Sequence, residues 1–168
     1  PSLVGLAEDF QILDEREANR IIRDNALSVL SAYEDALLGY VALDESQIKR
    51  ARRKDLPELA VRLANSFIKH AKNNRLDPQT LRSHMIETQR DLPLAAFGLA
   101  VYEGYQQSLV YRGAVDFDDL VRLAIEALTT DLAYLQRLRD RWPFVLEDEA
   151  QDSSKLQEEM LALLSAEQ

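Results

Sequence analysis

The chain contains no cysteine, which excludes a disulfide framework, a thiolate zinc site and a cysteine nucleophile. Its two histidines, His70 and His84, fall on different predicted helices and leave too little for a His-rich metal centre. The longest nearly apolar run, Leu92 to Tyr102, is interrupted by Pro93 and is too short to span a bilayer. No basic stretch leads into an apolar one at the start, so no secretory signal is expected and the default compartment is the cytoplasm. Internal repeats and low-complexity segments are absent as well. What is present, 46% apolar and 29% charged residues over a length of 168, suits a folded domain, or one domain and a fragment of another.

A net charge of -9 argues against a polyanionic partner only if charge is evenly spread, and it is not. Residues 1–48 carry -7, residues 49–90 carry +7 and residues 91–168 carry -9. Binding to nucleic acid is decided by a local patch, so the acidic total excludes little.

The dominant periodicity is helical. Asp14 and Glu17 form a capping-box pattern opening a long helix, with Ile22, Ala26, Val29, Leu30, Tyr33 and Leu37 on one stripe and Gly39 as its stop. A polar stretch from Asp44 to Asp55 follows, expected as a loop, and contains the run Lys49-Arg50-Ala51-Arg52-Arg53-Lys54. Pro57 suits the first turn of a second helix whose inner face is Leu59, Leu63, Phe67 and Ile68. Asp77-Pro78 opens a third, carrying Leu81, Met85 and Ile86. A fourth, from about Leu92 to Tyr111, packs through Phe97, Val101, Tyr105 and Leu109. Asp116 or Asp118 caps a fifth with Leu120, Leu123, Ala124 and Leu128 inside, and a short sixth runs near Thr130 to Arg139. Arg141 to Leu146 is a compact apolar run ending in acids and predicts a buried strand, anchored by Trp142. Its sheet partners are not evident in this sequence. A last amphipathic helix spans about Ser154 to Leu164.

The junction Phe144-Val145-Leu146-Glu147-Asp148-Glu149-Ala150-Gln151-Asp152 carries the most chemistry. A strand ending in Asp-Glu is the arrangement by which nucleotide-hydrolysing motors hold Mg²⁺ against phosphates and place a base for the attacking water. A solvated acidic turn at a helix start is the competing reading of the bare pair.

Three further segments bear on that choice. Val101-Tyr102-Glu103-Gly104-Tyr105-Gln106-Gln107, Val115-Asp116-Phe117-Asp118-Asp119-Leu120 and Asp148-Glu149-Ala150-Gln151-Asp152, with Gln157 beyond, resemble the UvrD/Rep/PcrA group of superfamily 1 DNA helicases in order and spacing. Phe10 to Ala18 looks like the segment leading into that family's inserted helical subdomain. Ile68 to Leu81, with Lys72-Asn73 and Asp77-Pro78, is similar to an element within the insert.

The resemblance implies a mainly α fold: the helical insert subdomain, plus a remnant (helices and one strand) of the RecA-like α/β motor domain. Residues 1–13 would be a lead-in from the motor, 14–112 the insert and 113–168 part of the motor. It further implies that Asp148 holds Mg²⁺ with the nucleotide, that Glu149 is the catalytic base, and that Gln151, Asp152 and Gln157 belong to a network linking nucleotide state to DNA contacts. Asp116, Phe117, Asp118 and Asp119 match the family's acidic helix start. The plainer reading has one of them as a cap, Phe117 packed and the others solvated.

Glu147 departs from the pattern, which usually has an apolar residue before Asp-Glu, and sets three carboxylates in a row. No G-x-x-x-x-G-K-[ST] phosphate loop occurs in the sequence, its glycines falling at 5, 39, 98, 104 and 113. The chain is therefore expected to be a middle piece of a helicase. The intact protein would use ATP and Mg²⁺, with no cofactor for the isolated piece.

The basic run Lys49, Arg50, Arg52, Arg53 and Lys54, with Lys69, Lys72, Arg75 and Arg82, fits the insert's family role of touching duplex DNA through phosphates. A solvated loop is the alternative. No aromatics interleave, which argues against stacking there. Tyr102, Tyr105 and Tyr111 are expected to pack. The expected partners are DNA at a duplex/single-strand junction and the remainder of the motor, with no membrane. The expected activity is unwinding with 3′-to-5′ polarity, in a cytoplasmic, nucleoid-associated protein. The rival readings are a RecB/AddA-like helicase–nuclease subunit and a stand-alone helical interaction module.

Overall fold

A computed structural model describes residues 4–6, 9–40 and 44–165. The element order is β1 (Gln11–Ile12), α1 (Glu15–Leu38), α2 (Glu45–Arg50), a π-turn (Ala51–Asp55), α3 (Leu56–Asn73), α4 (Pro78–Thr88), α5 (Pro93–Arg112), β2 (Ala114–Val115), α6 (Phe117–Thr130), α7 (Leu132–Arg141), a 3₁₀ turn (Ala150–Asp152) and α8 (Lys155–Ser165). β1 and β2 pair in parallel, Gln11 with Ala114 and Ile12 with Val115, so α1 to α5 form one long excursion between two adjacent short strands. The chain is mainly helical, as expected.

Asp14 caps α1, its carboxylate accepting the Glu17 N–H at 2.8 Å. Ile22, Ala26, Leu30 and Leu37 are buried, with Val29 and Tyr33 packed at the edge of the same stripe. α1, α3 and α5 build the main core around Phe97, Val101, Tyr105 and Leu109, the four α5 positions read from sequence. Two glycines allow this approach. A Cβ on Gly98 would lie 2.5 Å from Phe67 Cγ, and one on Gly104 would lie 2.2 Å from Asn25 Oδ1.

The stretch read as a polar loop is helical. Asp44 accepts the Gln47 N–H at 2.8 Å and its own N–H donates to Gln47 Oε1 at 2.9 Å, a reciprocal capping box that starts α2. Pro57 has no N–H and would clash with the carbonyl four residues back in a regular α-helix. The Leu56 N–H instead reaches five residues back to the Ala51 carbonyl, and this wider turn carries α2 into α3.

Three side chains expected inside are outside. Leu59 is exposed because the buried face of α3 runs through Leu56, Ala60, Ala64 and Ile68, whose two alanines let the helix lie close to its neighbours. Ile86 is exposed because α4 contacts the rest chiefly along one side of α5, with Leu81 at the contact. Tyr111 is 92% exposed at the last turn of α5, where its neighbour Val110 is exposed as well.

A second, smaller core joins α6 to α8 through Val121, Ile125 and Leu156, with Met160 and Leu163 against them. The strand expected over 141–146 is not formed. α7 runs through Arg141, and residues 142–146 have no regular structure and no ladder partner among the described residues. Without a ladder the backbone has nothing to hold it as a strand. Phe144 and Leu146 are exposed, and Trp142, rather than being buried, stacks under the Arg141 guanidinium at 5.0 Å. Among the described residues no helix is long and apolar enough to cross a membrane.

Candidate nucleotide and nucleic-acid sites

Lys72 sits in the last turn of α3 and Asp116 is the N-cap of α6, so an ammonium at one helix C-terminus meets carboxylates at another's N-terminus. Lys72 Nζ donates to Asp116 Oδ2 at 2.5 Å and to Asp119 Oδ2 at 2.7 Å, and lies 5.1 Å from the centre of the Tyr105 ring. The Tyr105 hydroxyl donates to Asp116 Oδ2 at 2.7 Å, while the Asp119 N–H donates to Asp116 Oδ1 at 2.9 Å. Every member is buried.

Lys72 is therefore not a surface phosphate contact. Its side chain is 3% exposed, enclosed by its two carboxylates. Asp119 likewise is buried rather than solvated, and Phe117 is 57% exposed rather than packed.

Burial alone would raise the Asp116 carboxyl, but the Lys72 charge and the hydrogen bonds from Lys72, Tyr105 and the Asp119 amide outweigh it and hold Asp116 below the ordinary range. Burial raises Asp119 above that range; Lys72 opposes the rise and the neighbouring Asp116 adds to it. Asp118 is raised by burial and by Asp116. Burial, then Asp116, raises the Tyr105 hydroxyl, which keeps it a donor.

The acidic junction is organised differently. The Asp148 carboxylate accepts the Glu149 N–H at 3.0 Å, the Gln151 amide donates to Glu149 Oε2, and the Ser153 hydroxyl donates to Glu147 Oε1. Glu147 is thus turned back toward the start of α8 rather than stacked beside Asp148. Glu149 has φ +57°, a left-handed backbone uncommon for a side chain of this kind. Gln157 closes a cap with Ser154: its Oε1 accepts the Ser154 N–H at 2.8 Å and its own N–H reaches Ser154 Oγ at 3.3 Å. Asp148, Glu149, Gln151 and Asp152 are all exposed.

As a donor set, Asp148 and Glu149 offer hard carboxylate oxygens of the kind Mg²⁺ takes when it keeps waters and phosphate oxygens as its other ligands. Among the described residues no group of three or more metal-ligating side chains forms a cage. The carboxylates of Asp148 and Glu149 fit, as a donor set, one or two positions around a Mg²⁺ ion.

The basic run lies on the helical surface from α2 through the π-turn. Lys49, Arg50, Arg52, Arg53 and Lys54 are exposed. Arg52 is engaged across the surface by Glu34 at 3.4 Å and Asp35 at 2.5 Å, both on α1. Arg75 pairs with Glu159 of α8 at 2.5 Å, and Lys69 is exposed on α3. Arg82 pairs with Glu103. The structure thus separates the cations predicted to act together: five on one surface strip, Lys72 inside, Arg75 and Arg82 in ion pairs elsewhere.

The Lys72 cluster was not legible as a unit in the sequence. Its signals were a Lys-Asn pair ending one apolar helix and three acids opening another, and both patterns occur as ordinary helix ends.

The sequence matches the UvrD/REP helicase N-terminal domain family over residues 2–168. It is 33% identical to the ATP-dependent DNA helicase UvrD1 of Mycobacterium tuberculosis over 103 residues, covering 61% of this chain and 13% of that protein. It is 27% identical to DNA helicase II of Escherichia coli over 161 residues, covering 96% of this chain and 18% of that protein. DNA helicase II of Haemophilus influenzae is similar at 27% over 162 residues, 96% of this chain and 18% of its own length. The chain spans less than a fifth of the length of these relatives. A match along essentially the whole sequence, joining the helical excursion to the acidic junction, places the chain in the UvrD/REP helicase N-terminal domain family.

Proposed function

We propose that this chain is the part of an ATP-dependent DNA helicase that joins a duplex-contacting helical insert, residues 14–112, to a portion of the motor, residues 113–168. The observation that carries the reading is the continuity of the family match from Asp14 through Asp148-Glu149 to Gln157. The division near residue 113 is supported by the two separate hydrophobic cores and by the β1–β2 pair that brackets the helical excursion.

In the intact helicase Asp148 would hold Mg²⁺ together with ATP, and Glu149 would orient and deprotonate the water that attacks the terminal phosphoryl group. When bound there, the metal would supply charge neutralisation on the phosphate oxygens. Gln151, Asp152 and Gln157 connect this junction to the DNA-facing side, a role that follows the family resemblance. Exposed cations on the surface of α2 and the π-turn meet duplex phosphates and read no sequence. Unwinding with 3′-to-5′ translocation follows the family resemblance.

The test uses the intact helicase. Glu149→Gln is expected to reduce DNA-stimulated ATP hydrolysis at least a hundredfold while nucleotide binding persists. Hydrolysis at the wild-type rate would remove Glu149 from its role and with it this reading of the junction.

A further inference from the structure

Five cations in six positions, Lys49 to Lys54, are usually taken as one electrostatic unit, but the π-turn divides them. In a regular α-helix a residue four positions on lies about 40° past its predecessor. The π-turn at Ala51–Asp55 takes more residues per turn, which reduces that lag. Arg53 is four residues from Lys49 and Lys54 four from Arg50, so each pair shares a row on the helix surface. These are two short columns of like charge on one side of the helix. Arg52, three residues after Lys49, falls at the edge of this face toward α1, where its guanidinium bridges Glu34 and Asp35.

Like charges stacked at this spacing repel one another. Among the described residues Lys49, Arg50, Arg53 and Lys54 have no ion-pair partner, and all four are exposed. α2 has no fully buried residue and only Ile48 is half-buried, so apolar packing contributes little to holding it in place. The Arg52 bridge is the side-chain ion pair that ties this segment to α1.

We infer that the duplex contact is made by a four-cation plate of Lys49, Arg50, Arg53 and Lys54, and that Arg52 is a positioning residue that orients the plate through Glu34 and Asp35 without touching phosphate. The inference rests on the proposed duplex contact and assigns separate roles within it. The ligand is the regularly spaced phosphate backbone, which relieves the repulsion that the π-turn concentrates.

The experiment is a salt titration of binding between this chain and a fluorescein-labelled DNA duplex, from 50 to 200 mM salt. Four neutralised phosphates give a slope of log K against log salt of about -3.6, or about 150-fold across that range. Reversing Lys49, Arg50, Arg53 and Lys54 together is expected to abolish the slope. Arg52→Gln is expected to weaken binding about two- to fivefold with the slope unchanged. It is also expected to speed amide exchange over residues 45–55 in the free protein, with the circular dichroism of the remaining helices retained. A slope reduced by about 0.9 in Arg52→Gln, or unaltered exchange, would overturn the positioning role while leaving the duplex contact intact. Wild type and the fourfold reversal binding alike would overturn the duplex contact itself.

Discussion

Lys72 Nζ lies 2.5 Å from Asp116 Oδ2 across 44 residues of sequence, and the two helix ends they occupy are the point where the main core meets the α6–α8 unit. α3 and α6 otherwise contact each other little. Arg75–Glu159 and a Lys155–Asn74 contact at 3.4 Å add to the same seam. The seam is polar where each flanking core is apolar.

Removing the ammonium leaves two buried carboxylates facing each other. Lys72→Met is expected to destabilise the protein by about 3–5 kcal/mol, the cost of breaking a buried pair from one side. Urea denaturation followed by circular dichroism measures it. A loss near zero would mean that water reaches the cluster.

The two carboxylates give opposite pH dependences. Asp116 is held below its ordinary value, so its contribution is present above about pH 3.9 and is lost as pH falls through its lowered pKa. Asp119 is raised, so the folded state holds its proton more tightly than the unfolded chain. Its contribution is fully present below the ordinary value and is lost as pH rises through the raised pKa. Asp119→Asn is therefore expected to remove a fall in stability on the alkaline side of about pH 3.9. Asp116→Asn is expected to remove a loss on the acid side, seen as melting temperature against pH.

The helix approaches at α5 are steric. Gly98→Ala is expected to cost about 1–3 kcal/mol, because the new methyl group meets the Phe67 ring. Gly104→Ala displaces Asn25, which donates to the Ile21 carbonyl at 2.9 Å. In an Asn25→Ala background the Gly104→Ala substitution is expected to cost less, and a double-mutant cycle reads the difference.

Leu156 is 1% exposed and is the one fully enclosed side chain that α8 gives to the second core among the described residues. Leu156→Ala is expected to cost about 2–5 kcal/mol. The loss should appear first as faster amide exchange in α6 and α8 while α1, α3 and α5 stay protected. Uniform loss of protection would show that the two cores unfold as one.

The chain by itself carries Asp148 and Glu149 without a phosphate-loop motif in its sequence. Its own ATP turnover is expected to be negligible in a coupled phosphate-release assay. Turnover abolished by Glu149→Gln would require a phosphate cradle built from other residues.

What the sequence determined by itself were the features that act within a few residues. The Asp14 and Asp77 caps, an acidic cap at Asp116 or Asp118, the α1 stripe and four of the buried positions of α5 depend on helix period and end chemistry, and each was readable. The order of motifs from Asp116 to Gln157 was readable through its resemblance to the helicase family. Tertiary structure decided what depends on how elements approach. Small Ala60 and Ala64 turned Leu59 outward, and a proline converted a basic stretch read as loop into continuous helix through a π-turn. The apolar run at 142–146 had the composition of a strand, but composition cannot supply a ladder partner. Lys72 shows the same limit most sharply. A lysine beside other basic residues reads as surface charge until the fold brings two aspartates from another helix against it, because charge pairing acts through space and leaves no periodic trace along the chain.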